Sequence, residues 1–177
     1  VVSSFSEQGG GRAVDALAEG AFDLVPKRAE GGKLQDFLDD LLSKVKAATF
    51  ERPTRDPATA TLPPPAPSAP RRKLSRQKAH PLGKKLVLIA SSTGGPRALT
   101  LVSRKFPTEL GQGLVIVQHM PAGFTPSLAM RLDAESHLSI SEASQGERID
   151  AAHGWVAPGG SHLRIRRKRF ELSDDPP

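Results

Sequence analysis

Val87-Leu88-Ile89-Ala90-Ser91-Ser92-Thr93-Gly94-Gly95-Pro96 is the stretch on which the fold turns. A run of strand-type apolar residues stops abruptly at two hydroxyls, a glycine pair and a proline. A helix-compatible segment, Arg97 to Phe106, follows. A strand that ends this way places a serine oxygen at its carboxyl end, beside a helix N-terminus. Open α/β sheets bind ligands there, and backbone N–H groups and the helix dipole stabilise an oxyanion there. A second apolar strand, Gly113-Leu114-Val115-Ile116-Val117-Gln118, ends on His119, 27 residues after Ser92. Neighbouring strands of one sheet bring that imidazole to the serine as a general base. By chemistry alone Ser91 is an alternative nucleophile. Ala90 stands where a Gly-x-Ser-x-Gly nucleophile elbow needs its first glycine. A glycine pair after a strand also serves as a plain turn or anion loop, and a histidine at a strand end as a structural residue.

Three stretches of literal wording carry more. Ser-Ser-Thr-Gly-Gly-Pro (91–96), Gln-His-Met-Pro-Ala-Gly-Phe-Thr (118–125) and Ala-Pro-Gly-Gly-Ser-His (157–162) follow one another in this order. Together they resemble the CheB-type chemotaxis methylesterases. The resemblance implies an α/β chain in three parts. Residues 1–50 resemble the C-terminal piece of a doubly wound receiver domain. Residues 51–80 form a linker, and 81–177 the N-terminal half of a parallel-sheet methylesterase domain. It implies hydrolysis of glutamate methyl esters on methyl-accepting chemotaxis receptors, with receptor glutamine deamidation as a related acyl transfer. Ser92 is then the nucleophile and His119 its base, with Thr93 and Gly94 supplying oxyanion N–H groups. Ser3 and Lys27 match the receiver positions that sense the phosphoryl group, although receivers show Lys-Pro where this chain has Pro26-Lys27-Arg28.

The same resemblance sets expectations about what accompanies the chain. The esterase needs no cofactor or metal, whereas an intact receiver takes Mg2+. The acidic magnesium ligands and the phosphoacceptor aspartate belong upstream of Val1. The aspartate that orients the family's histidine belongs to a later glycine-rich stretch. The chain therefore reads as truncated at both ends, unstable and inactive on its own. A sensor histidine kinase is the expected phosphodonor, and a cytoplasmic location follows from chemotaxis signalling.

Bulk composition agrees with a cytoplasmic protein of one or two domains. The 177 residues are 37% hydrophobic and only 5% aromatic, with no cysteine, so disulfides and thiolate metal sites are excluded. No apolar run approaches the ~18 residues of a spanning helix, so membrane insertion is not expected. The net charge of +6 is concentrated at Arg71–Lys78 and at Arg164–Arg169. No aromatic residues interleave with either run to stack on bases, so nucleic acid is not the expected partner. Solvated surface or docking to an acidic partner accounts for both runs. Two other functions remain as alternatives. A non-enzymatic receiver-linked binding module would not need the Ser92–His119 pair, and a basic nucleic-acid-binding regulator would lose DNA binding when 164–169 is neutralised.

Local patterns predict the elements. Val14, Leu17 and Ala18 mark a helix over 13–19 that stops at Gly20. Phe22 to Val25 reads as a strand. Leu34, Phe37, Leu38, Leu41, Leu42 and Val45 form a helical stripe assigned to the core. In 51–80, seven of the 16 prolines predict a disordered linker of polyproline II character. Helix 97–106 is expected to turn Ala98, Leu101 and Val102 to the sheet. Thr125 is expected to cap a helix over 127–132, with Pro126 as its first residue. Segments 139–141 and 155–157 read as strands, and 163–169 as a hairpin with its charges near the turn. Gln145 stands where the family carries an acidic residue.

Overall fold

A computed structural model describes residues 1–3, 7–27, 33–50 and 85–175, with the backbone alone for 7–9. The predicted linker at 51–80 and Arg28 lie outside the described residues. The centre of the fold is a parallel sheet in the order β3-β4-β6-β5, formed by Val87–Ser91, Leu114–Gln118, His153–Val156 and Ser139–Glu142. Two of its three crossovers are helical, α3 (Gly95–Ser103) between β3 and β4, and α4 (Thr125–Glu135) between β4 and β5. This is the expected α/β class with a parallel sheet.

Strand alternation divides the core in two. Leu114, Ile116, Ile140 and Val156 face the helices and join Leu99, Phe124, Leu128 and Leu132 in the larger cluster. Val115 and Trp155 point to the opposite face, where Phe170 of a β7–β8 hairpin (His162–Arg166, Arg169–Ser173) covers them. Trp155 and Phe170 meet edge-on with ring centroids 5.1 Å apart, a geometry the aromatic quadrupoles favour. Toward β3 this second face is open, and Leu88 and Val117 are 66% and 47% exposed.

The N-terminal segment packs on the helical side. α1 (Glu7–Ala18) buries Ala13, Val14, Leu17 and Ala18, the phase its sequence predicted, and touches both α3 and α4. Asp15 pairs with Arg131 of α4, whose side chain is only 6% exposed. Gly20, at φ 112°, ends the helix in a backbone region that glycine tolerates. β1 (Val2–Ser3) and β2 (Val25–Pro26) then pair in parallel.

Four expectations are corrected. Strand β2 starts at Val25 rather than Phe22, because the Leu24 N–H donates to Asp23 Oδ1 at 2.7 Å and is not free to join a ladder. In α2 (Leu34–Phe50) the stripe is not core: Leu34, Leu38, Leu42 and Val45 are all exposed. Among the described residues α2 meets the short β2 along a flank where Phe37, Leu41 and Lys44 are half-buried, and Lys44 donates to the Leu24 carbonyl at 2.6 Å. Helix α3 buries Pro96, Leu99, Thr100 and Ser103, and leaves Leu101 and Val102 outside. The hydroxyls of Thr100 and Ser103 donate to Pro96 O and Thr100 O, so this face is buried without an unmet polar group. Finally, Thr125 is the first residue of α4 and not its cap, a position held by Phe124. Its hydroxyl is engaged elsewhere, donating to Glu142 and accepting the Gly159 N–H at 3.0 Å.

Candidate active site

The reactive geometry is set by strand register. β3 and β4 pair in parallel with Ala90 opposite Val117 and Ser91 opposite Gln118. The next residues out of the sheet are Ser92 and His119, and the ladder closes with the His119 N–H donating to Ser91 O at 2.8 Å. Ser92 Oγ and His119 Nδ1 consequently stand 3.3 Å apart, both exposed at the carboxyl edge of the sheet. A one-residue slip would face every side chain of β3 the other way.

Ser91 and Ser92 have different surroundings, which separates two candidates that chemistry alone leaves open. The Ser91 hydroxyl donates to Gln118 Oε1 at 2.7 Å, on the helix side of the sheet. The Ser92 hydroxyl meets the imidazole. Gln118 is the residue that sequence reasoning passed over. It is 6% exposed, and its Nε2 donates to Ser92 O at 2.8 Å and to His119 O at 3.0 Å. One amide thus clamps the backbone of both candidate residues. The available signal was a polar residue at the end of an otherwise apolar buried strand, where it must have internal partners.

The glycine pair has two distinct jobs. Gly94 lies in the left-handed region at φ 75° and turns the chain into α3. Gly95 has no room for a side chain, since a Cβ there would lie 1.9 Å from Gln118 Oε1 and 2.9 Å from Ser91 Cβ. Its N–H donates back to Ser92 O at 2.8 Å. The N–H groups of Thr93 and Gly94 have no acceptor among the described residues. They sit beside Ser92 at the start of a helix that opens with proline, which suits them to developing negative charge.

Two cavities meet at His119. The larger, about 620 Å3, runs from Ser91, Gln118 and Met120 past Gly159 to His162 and Arg164. The 157–162 loop reaches the site because Gly159 packs directly on the 120–122 backbone, and a Cβ there would lie 2.7 Å from Met120 O. The smaller cavity, about 20 Å3, lies over Ser92 itself and is walled by Phe22, Asp23 and Leu24. Thr93 Oγ1 donates to Asp23 Oδ2 at 3.3 Å across this contact.

Among the described residues no carboxylate bonds the His119 ring. Asp174 instead accepts from Ser161 at 2.8 Å, and Asp175 from Ser173 at 2.5 Å. Ser3 and Lys27 are brought to neighbouring strand ends, with the Lys27 N–H donating to Ser3 O at 2.5 Å. Gln145 accepts the Leu172 N–H at 2.6 Å and so tethers the hairpin, a bond that a carboxylate at this position can also accept. No group of three or more His, Asp or Glu side chains among the described residues is placed to hold a cation. The described residues therefore do not by themselves form a site for the magnesium of a complete receiver.

The family model of the CheB methylesterase matches residues 87–177, the segment that carries the sheet, the Ser92–His119 pair and the hairpin. The chain belongs to the CheB methylesterase family. It is 40% identical over 188 residues to a protein-glutamate methylesterase/protein-glutamine glutaminase of Symbiobacterium thermophilum, covering 100% of this chain and 51% of that protein. The protein of the same name from Thermotoga maritima is 37% identical over 174 residues, covering 97% of this chain and 48% of its own length. The crystal structure of the Thermotoga maritima CheB methylesterase catalytic domain shares 43% identity and a TM-score of 0.48 over 53% of this chain and 51% of that one. The chain thus spans about half the length of the curated relatives it matches.

Proposed function

We propose that in the intact protein this chain supplies the nucleophile and base that hydrolyse glutamate methyl esters on methyl-accepting chemotaxis receptors, releasing methanol. Glutamine deamidation on the same receptors is the related acyl transfer. The observation that carries the reading is the 3.3 Å approach of Ser92 Oγ to His119 Nδ1 at a sheet edge. The names of the relatives in Symbiobacterium and Thermotoga support the substrate class.

The steps follow from the site's own atoms. His119 takes the Ser92 proton as Oγ attacks the ester carbonyl, and the carbonyl oxygen becomes an oxyanion facing the Thr93 and Gly94 N–H groups. Collapse expels methoxide, which receives the proton from His119 and leaves as methanol. Water, deprotonated by the same imidazole, then splits the acyl-enzyme, and the proton returns to Ser92 Oγ. Each hydrogen-bond donor aimed at the oxyanion contributes about 3 kcal/mol in sites of this kind.

Residues 1–50 are proposed to be the end of a receiver that closes the site until it is phosphorylated by a sensor kinase. Support comes from Phe22 to Leu24 walling the cavity over Ser92, and from the contact of Thr93 with Asp23. The test is methanol release from methylated receptor membranes by the intact protein, beside its Ser92→Ala and His119→Ala variants. Either substitution is expected to remove activity by about 10³-fold or more. Retention of activity in a folded Ser92→Ala variant would overturn the assignment.

A further inference from the structure

The β7–β8 hairpin carries more positive charge than its own folding rewards, since only Arg164 has an acidic residue, Glu171, opposite it. Its register places Leu163, Ile165, Phe170 and Leu172 on one face, and His162, Arg164 and Arg166 against Ser173, Glu171 and Arg169 on the other. Arg166 thus stands directly opposite Arg169, a like-charge pair that disfavours the hairpin. The two-residue turn is Arg167-Lys168, with φ values of 49° and 62°. Such turns favour Asn-Gly, and bulky side chains at positive φ are strained. Lys168 bonds Gln112 and Arg169 bonds the Gly146 carbonyl. Among the described residues, Arg164, Arg166 and Arg167 form no ion pair.

These charges are also placed to be used. His162 and Arg164 wall the same 620 Å3 cavity as His119. Toward the tip, Arg166, Arg167 and Arg169 line a second cleft of about 430 Å3. The hairpin thus presents cations to both clefts, with Glu171, opposite Arg164, as the one acidic side chain lining the cleft at the tip. Four of the five cations in 164–169 are arginines, whose planar fork matches a carboxylate bidentately. Alternate strand residues such as Arg164 and Arg166 repeat at roughly 7 Å. Carboxylates three or four apart on a helix repeat at about 5–6 Å, within reach of flexible arginines. No aromatic side chain is exposed beside them for base stacking, since Phe170 is fully buried.

We propose that the β7–β8 hairpin is a docking arm for an acidic protein helix, which it holds alongside the cleft that ends at His119. The substrate side of this inference rests on the esterase assignment above. A helix bearing several hydrolysable glutamate esters carries free carboxylates wherever one has already been cleaved. Arg164 and Arg166 grip those neighbouring carboxylates while a remaining ester enters the cleft. They are positioning residues for the substrate and take no part in bond cleavage.

The test uses the intact protein with Ser92→Ala to prevent turnover. Two fluorescent helical peptides serve as probes, one with glutamates at i, i+3, i+4 and i+7 and one with glutamines there. Anisotropy is expected to show the glutamate peptide binding at least about tenfold tighter, with affinity falling steeply between ~50 and ~200 mM salt. Arg164→Gln with Arg166→Gln and Arg167→Gln removes that preference, whereas Arg164→Lys with Arg166→Lys keeps the preference but weakens binding by about three- to tenfold, because lysine retains the charge and loses the bidentate fork. With Ser92 in place, the same triple change raises KM for receptor membranes by a larger factor than it lowers kcat, the split expected of residues that position substrate. Equal affinity for both peptides, or indifference to the triple change, would overturn the proposal. Tighter binding of a DNA duplex through the same arginines would overturn it in favour of nucleic acid. If the triple variant loses its near-UV spectrum, Arg166→Glu alone at its exposed site replaces it: weaker binding of the glutamate peptide supports the docking arm, and unchanged binding overturns it. The binding arms do not depend on catalysis, so failure of the esterase assignment shows separately, as activity surviving Ser92→Ala.

Discussion

Gly95→Ala tests the architecture of the site more sharply than removal of a reactive group. Gly95 is the first residue of α3 and does not have positive φ, so alanine suits its backbone. Judged locally, the change should stabilise the protein by about 0.4–1 kcal/mol through lost unfolded-state entropy. The tertiary contact reverses the sign. The new Cβ would sit 1.9 Å from Gln118 Oε1, forcing that side chain from its place. Gln118 then gives up its bonds with Ser91 Oγ, Ser92 O and His119 O. At about 0.5–1.5 kcal/mol each, these outweigh the entropic gain and leave a net loss of about 2 kcal/mol. For a chain of this size that lowers Tm by about 4–8 °C. Because the lost bonds hold Ser92 and His119, turnover should fall further than stability suggests, by about 10²-fold. Urea unfolding followed by far-UV circular dichroism gives the first quantity and methanol release the second. A double-mutant cycle isolates the cause. In a Gln118→Ala background, alanine at 95 should cost much less, with a coupling of about 1–2 kcal/mol. A Gly95→Ala protein as stable and active as the parent would refute the clamp.

Three further outcomes are expected. Phe124→Ala empties a fully buried site between α4 and α1, and urea titration should show a loss of about 3–5 kcal/mol. Asp15→Asn removes the charge of one of the two carboxylates paired with the buried Arg131; because Asp15 is half exposed, the loss should be about 1 kcal/mol, and faster amide exchange should be confined to α1 and α4. Arg167→Asn with Lys168→Gly relieves two left-handed side chains. It should stabilise the hairpin by about 1–2 kcal/mol in hydrogen exchange across β7 and β8, while weakening the glutamate peptide. Unchanged protection would remove the strain argument.

Sequence alone determined much of this protein. Apolar runs marked β3 and β4, so that His119 was legible beyond the end of one and the serine pair at the end of the other, with the family wording favouring Ser92 over Ser91. Three stretches of wording placed the chain in its family, and the hairpin was visible in the alternation of Leu163 and Ile165 with charge. These features are local: they depend on strand period and turn chemistry within about ten residues. Tertiary structure decided the rest. Which serine faces the histidine depends on the register between β3 and β4, a pairing across 27 positions. The face buried by α3 follows from contacts with α1 and α4, and its hydroxyls can be buried because the helix backbone accepts them. The α2 stripe looked like core because periodicity records which residues share a face, but not whether anything covers it. Gln118 was unreadable for a related reason. Its role lies in three partners supplied by two strands, and a Gly95 without Cβ leaves the space it fills.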